Sequence, residues 1–108
     1  MEKVFNKLVR DNIPDIILKN GERPITRVLN DEEYKSELLK KLLEETNEVL
    51  SSKESRETLE ELSDVLEIIK SIAILEGEDL DTVINLSNQK RLKRGGFEKR
   101  IYLERTID

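Results

Sequence analysis

Histidine, cysteine and tryptophan are missing from these 108 residues, and each absence removes a class of chemistry. Without cysteine there is no disulfide and no thiolate metal site; without histidine the chain lacks the commonest transition-metal ligand and the usual general base at neutral pH. Any bound metal must then be held by oxygen, which favours Mg²⁺, Mn²⁺ or Ca²⁺. One methionine and no tryptophan leave Leu, Ile and Val to build nearly all of the core. No apolar run approaches the ~20 residues that a membrane helix needs, and the segment from Met1 to Lys7 has no stretch fit for a signal peptide. A soluble, cytoplasmic protein that does not engage a membrane is expected.

What the chain has in abundance is charge: 40% of its residues are charged against 36% hydrophobic, and the net charge is −5. That balance argues against general nucleic-acid binding. The cations are nevertheless clustered, with Lys90, Arg91, Lys93, Arg94, Lys99 and Arg100 close together near the end. An acidic middle and a basic end suit a site where metal and phosphate meet. The length is that of one domain, residues 1–108, and a domain of this size buries only roughly 60 to 70% of the surface its unfolded chain exposes. Self-association is a natural way to bury more.

Helical signals dominate the pattern. Ile13-Pro14 opens a brief helix through Ile16, Ile17 and Leu18 that Gly21 terminates. Arg23 to Leu29 reads as a loop or short extended piece. Asn30, with Glu33 three positions on, forms a capping box for a long helix to about Leu50, along which Leu39, Leu42, Leu43, Thr46, Val49 and Leu50 share one face. Ser51 to Ser55 breaks the period and predicts a helical hairpin. The second arm carries Leu59, Leu62, Leu66, Ile69 and Ala73 on one stripe with Val65, Ile68 and Ile72 beside it, more than one neighbouring helix covers. That width predicts a bundle centre or a subunit interface. After Gly77, Asp79 or Asp81 caps a further helix, with Leu80, Val83, Ile84 and Leu86 on its apolar side, that ends at Gly95-Gly96. Phe97, Ile101, Tyr102 and Leu103 look extended, fit to pair with Val4-Phe5 or with Ile25 to Val28 as a small β element. The fold class is all-α, a helical bundle built around a long hairpin.

Two acidic segments stand out on that hairpin, Glu44-Glu45-Thr46-Asn47-Glu48 and Glu61-Leu62-Ser63-Asp64. Carboxylates three apart on a helix lie about 60° apart and one turn along, so two antiparallel helices can present two such pairs across a groove. Mg²⁺ needs oxygen ligands of this kind and keeps other positions for water and phosphate. The bland alternative has weight: with 24 acidic residues in 108, three acids at fixed spacing occur about once by chance in such a chain. Glu44 and Glu45 taken by themselves read rather as a solvated face partnered with Lys40 and Lys41. Glu61, however, sits at the edge of the apolar stripe, where an ionised carboxylate is costly without a partner. Both pairs also lie towards the connection, where like charges would repel unless a cation intervened. Glu57, Glu60 and Glu67 have no matching pair and read as solvent-facing.

Asn88, Lys90 and Arg94 follow on the last helix, with Lys90 and Arg94 on one face and able to reach one polyphosphate. The alternative is a basic helix end complementing its own dipole. Near the start, Lys7 and Arg10 offer two more cations, for phosphate or for an ion pair of Arg10 with Asp11 or another acid.

With these residues assembled, the chain resembles the all-α nucleoside triphosphate pyrophosphohydrolases of the MazG superfamily. The resemblance runs through EExxE at Glu44 to Glu48, ExxD at Glu61 to Asp64, and N-x-K-x-x-x-R at Asn88, Lys90 and Arg94. Asn6 to Pro14, Pro24 to Arg27 and Arg94 to Phe97 look like the short, stand-alone house-cleaning members, so it covers nearly the whole chain. It implies an oligomer, a dimer or a dimer of dimers, with Mg²⁺, or Mn²⁺ as a substitute, held by Glu45, Glu48, Glu61 and Asp64. It also implies attack of water on the α-phosphorus of a nucleoside triphosphate, releasing pyrophosphate. Glu44 or a ligand carboxylate such as Glu45 would be the general base, and Lys90, Arg94, Lys7, Arg10 and Asn88 the phosphate contacts. Two other functions stay open: a pyrophosphohydrolase acting on a phosphoribosyl nucleotide in biosynthesis, and a non-catalytic helical module using its acidic groove for a basic partner.

Overall fold

Gly77 and Gly95 mark where helices stop, each with a φ in the left-handed region (+81° and +85°) that a side chain would resist. Between such stops the computed structural model, which describes residues 1–108, has four helices and no strand: α1 (Ile13–Lys19), α2 (Asp31–Ser51), α3 (Ser55–Leu75) and α4 (Leu80–Arg94). The small β element does not form. Phe5, Ile25, Val28, Phe97 and Ile101 are all exposed, and residues 95–108 carry no regular structure. Two short strands without a covering face are marginal in water, and nothing in the fold brings these segments against one.

The long helices start where their caps predict. The Asn30 side chain accepts from the Glu33 amide at 2.8 Å, while the Glu33 carboxylate accepts from the Asn30 amide at 3.5 Å, completing the capping box. Arg27 donates to both carboxylate oxygens of Glu33, at 3.3 and 2.9 Å. That guanidinium, and then the Asn30 amide, hold the Glu33 carboxyl below its usual range. At α4 it is Asp79 that caps, accepting from the Thr82 amide at 3.0 Å.

Ser52 to Glu54 turns the chain back, and α2 and α3 pack as an antiparallel pair. At the turn the Ser52 and Thr58 hydroxyls meet at 2.6 Å; at the open end Lys35 pairs with Glu76 at 3.0 Å. The seam contains Leu38, Leu42, Glu45 and Val49 from α2 and Glu61, Val65, Ile68 and Ile72 from α3, all buried or half-buried. Leu38 is 3% exposed, with Ile68 and Ala73 the other buried residues. The single apolar face expected on α2 is therefore divided. Leu42 and Val49 turn towards α3, whereas Leu39, Leu43 and Leu50 stay exposed, as do Leu59, Leu62 and Leu66 on α3.

Helix α4 packs Val83 and Leu86 near Ile69, Ile72 and Ala73 of α3 around a shallow groove. The chain as a whole is drawn out to 64 × 35 × 25 Å, with a radius of gyration of 18.5 Å. A compact chain of this length would have about 13 Å. No helix is long and apolar enough to cross a membrane.

Candidate metal centre

Glu45 and Glu61 occupy mirrored places on the hairpin, each about two turns from the connection, so they face each other across the seam. Asp64, one turn along from Glu61, joins them. One carboxylate oxygen from each of the three lies within 4.8 Å of the others, and all three residues are half-buried. Three like charges this close oppose one another. The Glu61 carboxyl is pushed above its usual range, first by desolvation, then by its contact with Glu45 and by the charges of Glu45, Asp64 and Glu48.

The donor set fits a hard divalent cation. Octahedral Mg²⁺ with oxygens at about 2.1 Å sets neighbouring ligands about 3 Å apart and opposite ligands about 4.2 Å apart. Oxygens within 4.8 Å of one another reach that spacing by small rotamer changes. Glu48, the fourth expected ligand, is exposed and outside the trio, although its charge acts on Glu61. Its position on α2, about 100° round from the seam, explains the difference. Glu44 is further round and exposed; it lines a separate hollow of about 200 Å³ with Asn6, Lys7, Lys40 and Lys41.

Arg10 has found an acid partner, and it is Asp64 rather than its neighbour Asp11. Its guanidinium donates to an Asp64 carboxylate oxygen at 2.7 Å across 54 positions of sequence. The segment before α1 thus crosses the acidic side of the hairpin, placing Lys7 beside Glu44 and Arg10 beside Asp64. Asn6 takes a positive φ of 46° at this crossing, a conformation that asparagine tolerates better than most residues. Lys40 and Lys41 line the same hollow, as their place four and three residues before Glu44 allows.

The basic end is not brought to this cluster. Asn88, Lys90 and Arg94 are exposed on α4, and no ion pair or hydrogen bond joins them to the acids of the hairpin. Arg91, one position from Lys90, pairs instead with Glu98 of the tail, which lowers the Glu98 carboxyl below its usual range.

Fold and site together define an all-α protein built on a helical hairpin, with a carboxylate trio at the edge of its seam. No family model and no solved structure matches the chain. It is similar to an uncharacterized protein of Mycolicibacterium smegmatis, at 46% identity over 43 residues. The match covers 40% of this chain and 44% of that protein.

Proposed function

We propose that the chain is a Mg²⁺-dependent nucleoside triphosphate pyrophosphohydrolase, as its resemblance to the MazG superfamily implies. The observation that carries this reading is the convergence of Glu45, Glu61 and Asp64 on one small space from two helices. Bound there, Mg²⁺ would neutralise phosphate oxygens and acidify water. The chain's own groups do the rest. Glu45, Glu61 and Asp64 would hold the ion, with the negative charge of Glu48 beside them. Glu44, or an oxygen of a ligand carboxylate not engaged by the ion, accepts the proton of the attacking water. Displacement at the α-phosphorus leaves pyrophosphate, whose charge needs cations, and Lys7 and Arg10 are the ones that lie along the acidic side. Asn88, Lys90 and Arg94 are phosphate candidates on their motif alone. A cytoplasmic role in removing non-standard or surplus nucleotides belongs to the same reading.

The decisive experiment incubates the protein with a panel of nucleoside triphosphates and Mg²⁺ or Mn²⁺ and measures pyrophosphate and phosphate separately. Pyrophosphate is expected, and Asp64→Asn should lower its release by roughly two orders of magnitude, the scale of losing one preorganised electrostatic group, with the helical spectrum unchanged. Phosphate as sole product would move the cleavage to another bond. No divalent-dependent turnover on any nucleotide would favour the interaction module.

A further inference from the structure

Lys41 departs from the pairing that its place on α2 suggests. Glu37 and Glu45 lie one helical turn to either side of it and Glu44 lies beside Glu45, at the separations where a lysine meets a carboxylate on a helix. It makes an ion pair with none of them. Lys40, next to it, takes Glu37 at 2.9 Å, and Asp64 takes Arg10. Lys41 is nonetheless half-buried. A partly desolvated ammonium without a close counter-charge is unfavourable, and an anion beside it would relieve that.

Helix geometry puts this cation next to the carboxylate trio. Counted from the connection, Lys41 on α2 stands almost level with Asp64 on α3, and at 100° per residue each lies about 70° round from the seam. Because the helices are antiparallel, both rotations lead to the same side of the pair. The hollow of about 200 Å³ opens there, with Lys7, Lys40 and Lys41 as its cations and Glu37 and Glu44 as its acids. Lys40 and Glu37 compensate each other, which leaves Lys7 and Lys41 against Glu44 alone. Lys7 also lacks a carboxylate partner; its ammonium stands 5.9 Å from the centre of the Phe5 ring.

We propose that this hollow is a diphosphate site in which Lys41, with Lys7, holds the leaving half of the nucleotide. The inference rests on the proposed reaction and gives it a direction. With metal at the trio and the β- and γ-phosphates in the hollow, the substrate lies along the hairpin with its phosphate end towards the open end and its base towards the Ser52 to Glu54 connection. The size agrees: the hollow has room for about seven waters, the scale of a diphosphate rather than of a whole nucleotide. In the reaction the water oxygen bonds to the α-phosphorus. The bond from that phosphorus to the oxygen shared with the β-phosphorus breaks, and its electron pair stays on the diphosphate. Negative charge therefore grows on the group that faces Lys41, where a fixed cation stabilises it. In-line displacement sets the attacking water opposite the leaving group. Glu44 lines the hollow and so lies on the leaving side, and the proton of the water passes to an unengaged oxygen of a ligand carboxylate instead.

Calorimetric titration with inorganic pyrophosphate, with and without Mg²⁺, tests this in the absence of turnover. The wild type should bind pyrophosphate more tightly than inorganic phosphate, and more tightly still with Mg²⁺. Lys41→Gln should weaken pyrophosphate about tenfold, the scale of losing one charge-assisted contact, and Lys41→Arg should keep most of the affinity. Lys53→Gln removes an exposed lysine at the connection that is also without an ion pair, and should leave binding unchanged. Equal losses in Lys41→Gln and Lys53→Gln would mean only a general attraction of cations for a polyanion and would overturn the inference. So would an affinity that neither Lys41→Gln nor Lys7→Gln changes, or no binding of pyrophosphate at all. The two readings fail separately. If no nucleotide is hydrolysed while pyrophosphate binding still depends on Lys41, the diphosphate site stands and the reaction falls; if Lys41→Gln hydrolyses nucleotide at the wild-type rate and binds pyrophosphate as tightly, the reaction stands and the site falls.

Discussion

On one side of the α2–α3 hairpin stand six exposed leucines; on the other, Glu48 and Asp64 flank the seam and the chain's own first segment crosses, with Arg10 on Asp64 and Lys7 beside Glu44. The same two helices make both sides. The acidic side carries its own partial neutralisation, because a chain can compensate a carboxylate with a local cation at little cost in order. The leucine side has nothing comparable: its six side chains stay between 42% and 79% exposed. A short hairpin can thus compensate charge within one chain while leaving apolar side chains exposed. The seam residues Glu45 and Glu61 lie between the two regimes, which is why Glu61 is both desolvated and repelled.

The largest effect is expected where both sides meet. Ile68 is among the three buried residues, and Ile68→Ala removes packing on which the acid trio and the leucine side both depend. It should cost about 2 to 5 kcal/mol, read from denaturant midpoints at fixed chain concentration. A loss below about 1 kcal/mol would mean that the seam is not the structural centre of the fold.

A smaller effect separates the sides by pH. The Glu61 carboxyl is raised in the folded chain above its ordinary value of 4.5, so the folded state holds that proton more tightly than the unfolded one. Its contribution to stability is fully present below the ordinary value and is lost as pH rises through the raised one. At neutral pH without divalent metal, Glu61→Gln should therefore melt a few degrees higher than the wild type, and the difference should close in acid. Mg²⁺ should raise the wild-type melting temperature more than that of the variant. A variant that melts lower at neutral pH, or that keeps the wild-type pH slope, would contradict a repulsive trio. The leucine side has no titrating group and predicts no such dependence.

How much of this was legible in the sequence follows from how local each determinant is. The Asn30–Glu33 box and the stops at Gly21, Gly77 and Gly95 depend on residues within a turn, and all were readable. The hairpin acids were readable in part: spacing marks the segments Glu44 to Glu48 and Glu61 to Asp64, the resemblance implies Glu45, Glu48, Glu61 and Asp64 among them, and neither tells that Glu48 falls outside the trio. The leucines show the same limit. Periodicity groups Leu39, Leu42, Leu43, Thr46, Val49 and Leu50, but which edge of that broad face meets α3 is decided by packing, and Leu38, the most buried residue, lies outside the group. The tail pattern around Phe97 to Leu103 suggested strands because alternation is visible in sequence, whereas the lack of a partner edge is not.

The smallest effect concerns the ion pair that sequence left open. Arg10 and Asp64 are both substantially exposed, at 57% and 39% for their side chains, so Arg10→Ala should change global stability by less than about 1 kcal/mol. Its local consequences are larger. Hydrogen exchange at residues 3–12 should quicken, because this pair ties the segment to α3 across 54 positions. Removing a guanidinium from an acid cluster also leaves more negative charge for a divalent ion, so Mn²⁺ should bind about two- to fivefold more tightly, the equivalent of up to about 1 kcal/mol. If Arg10 also meets the polyphosphate, turnover should fall even as the metal binds better. Opposite movements of metal affinity and turnover would identify Arg10 as a residue that alternates between Asp64 and substrate. Parallel loss of both would make it a strut for the acidic side and nothing more.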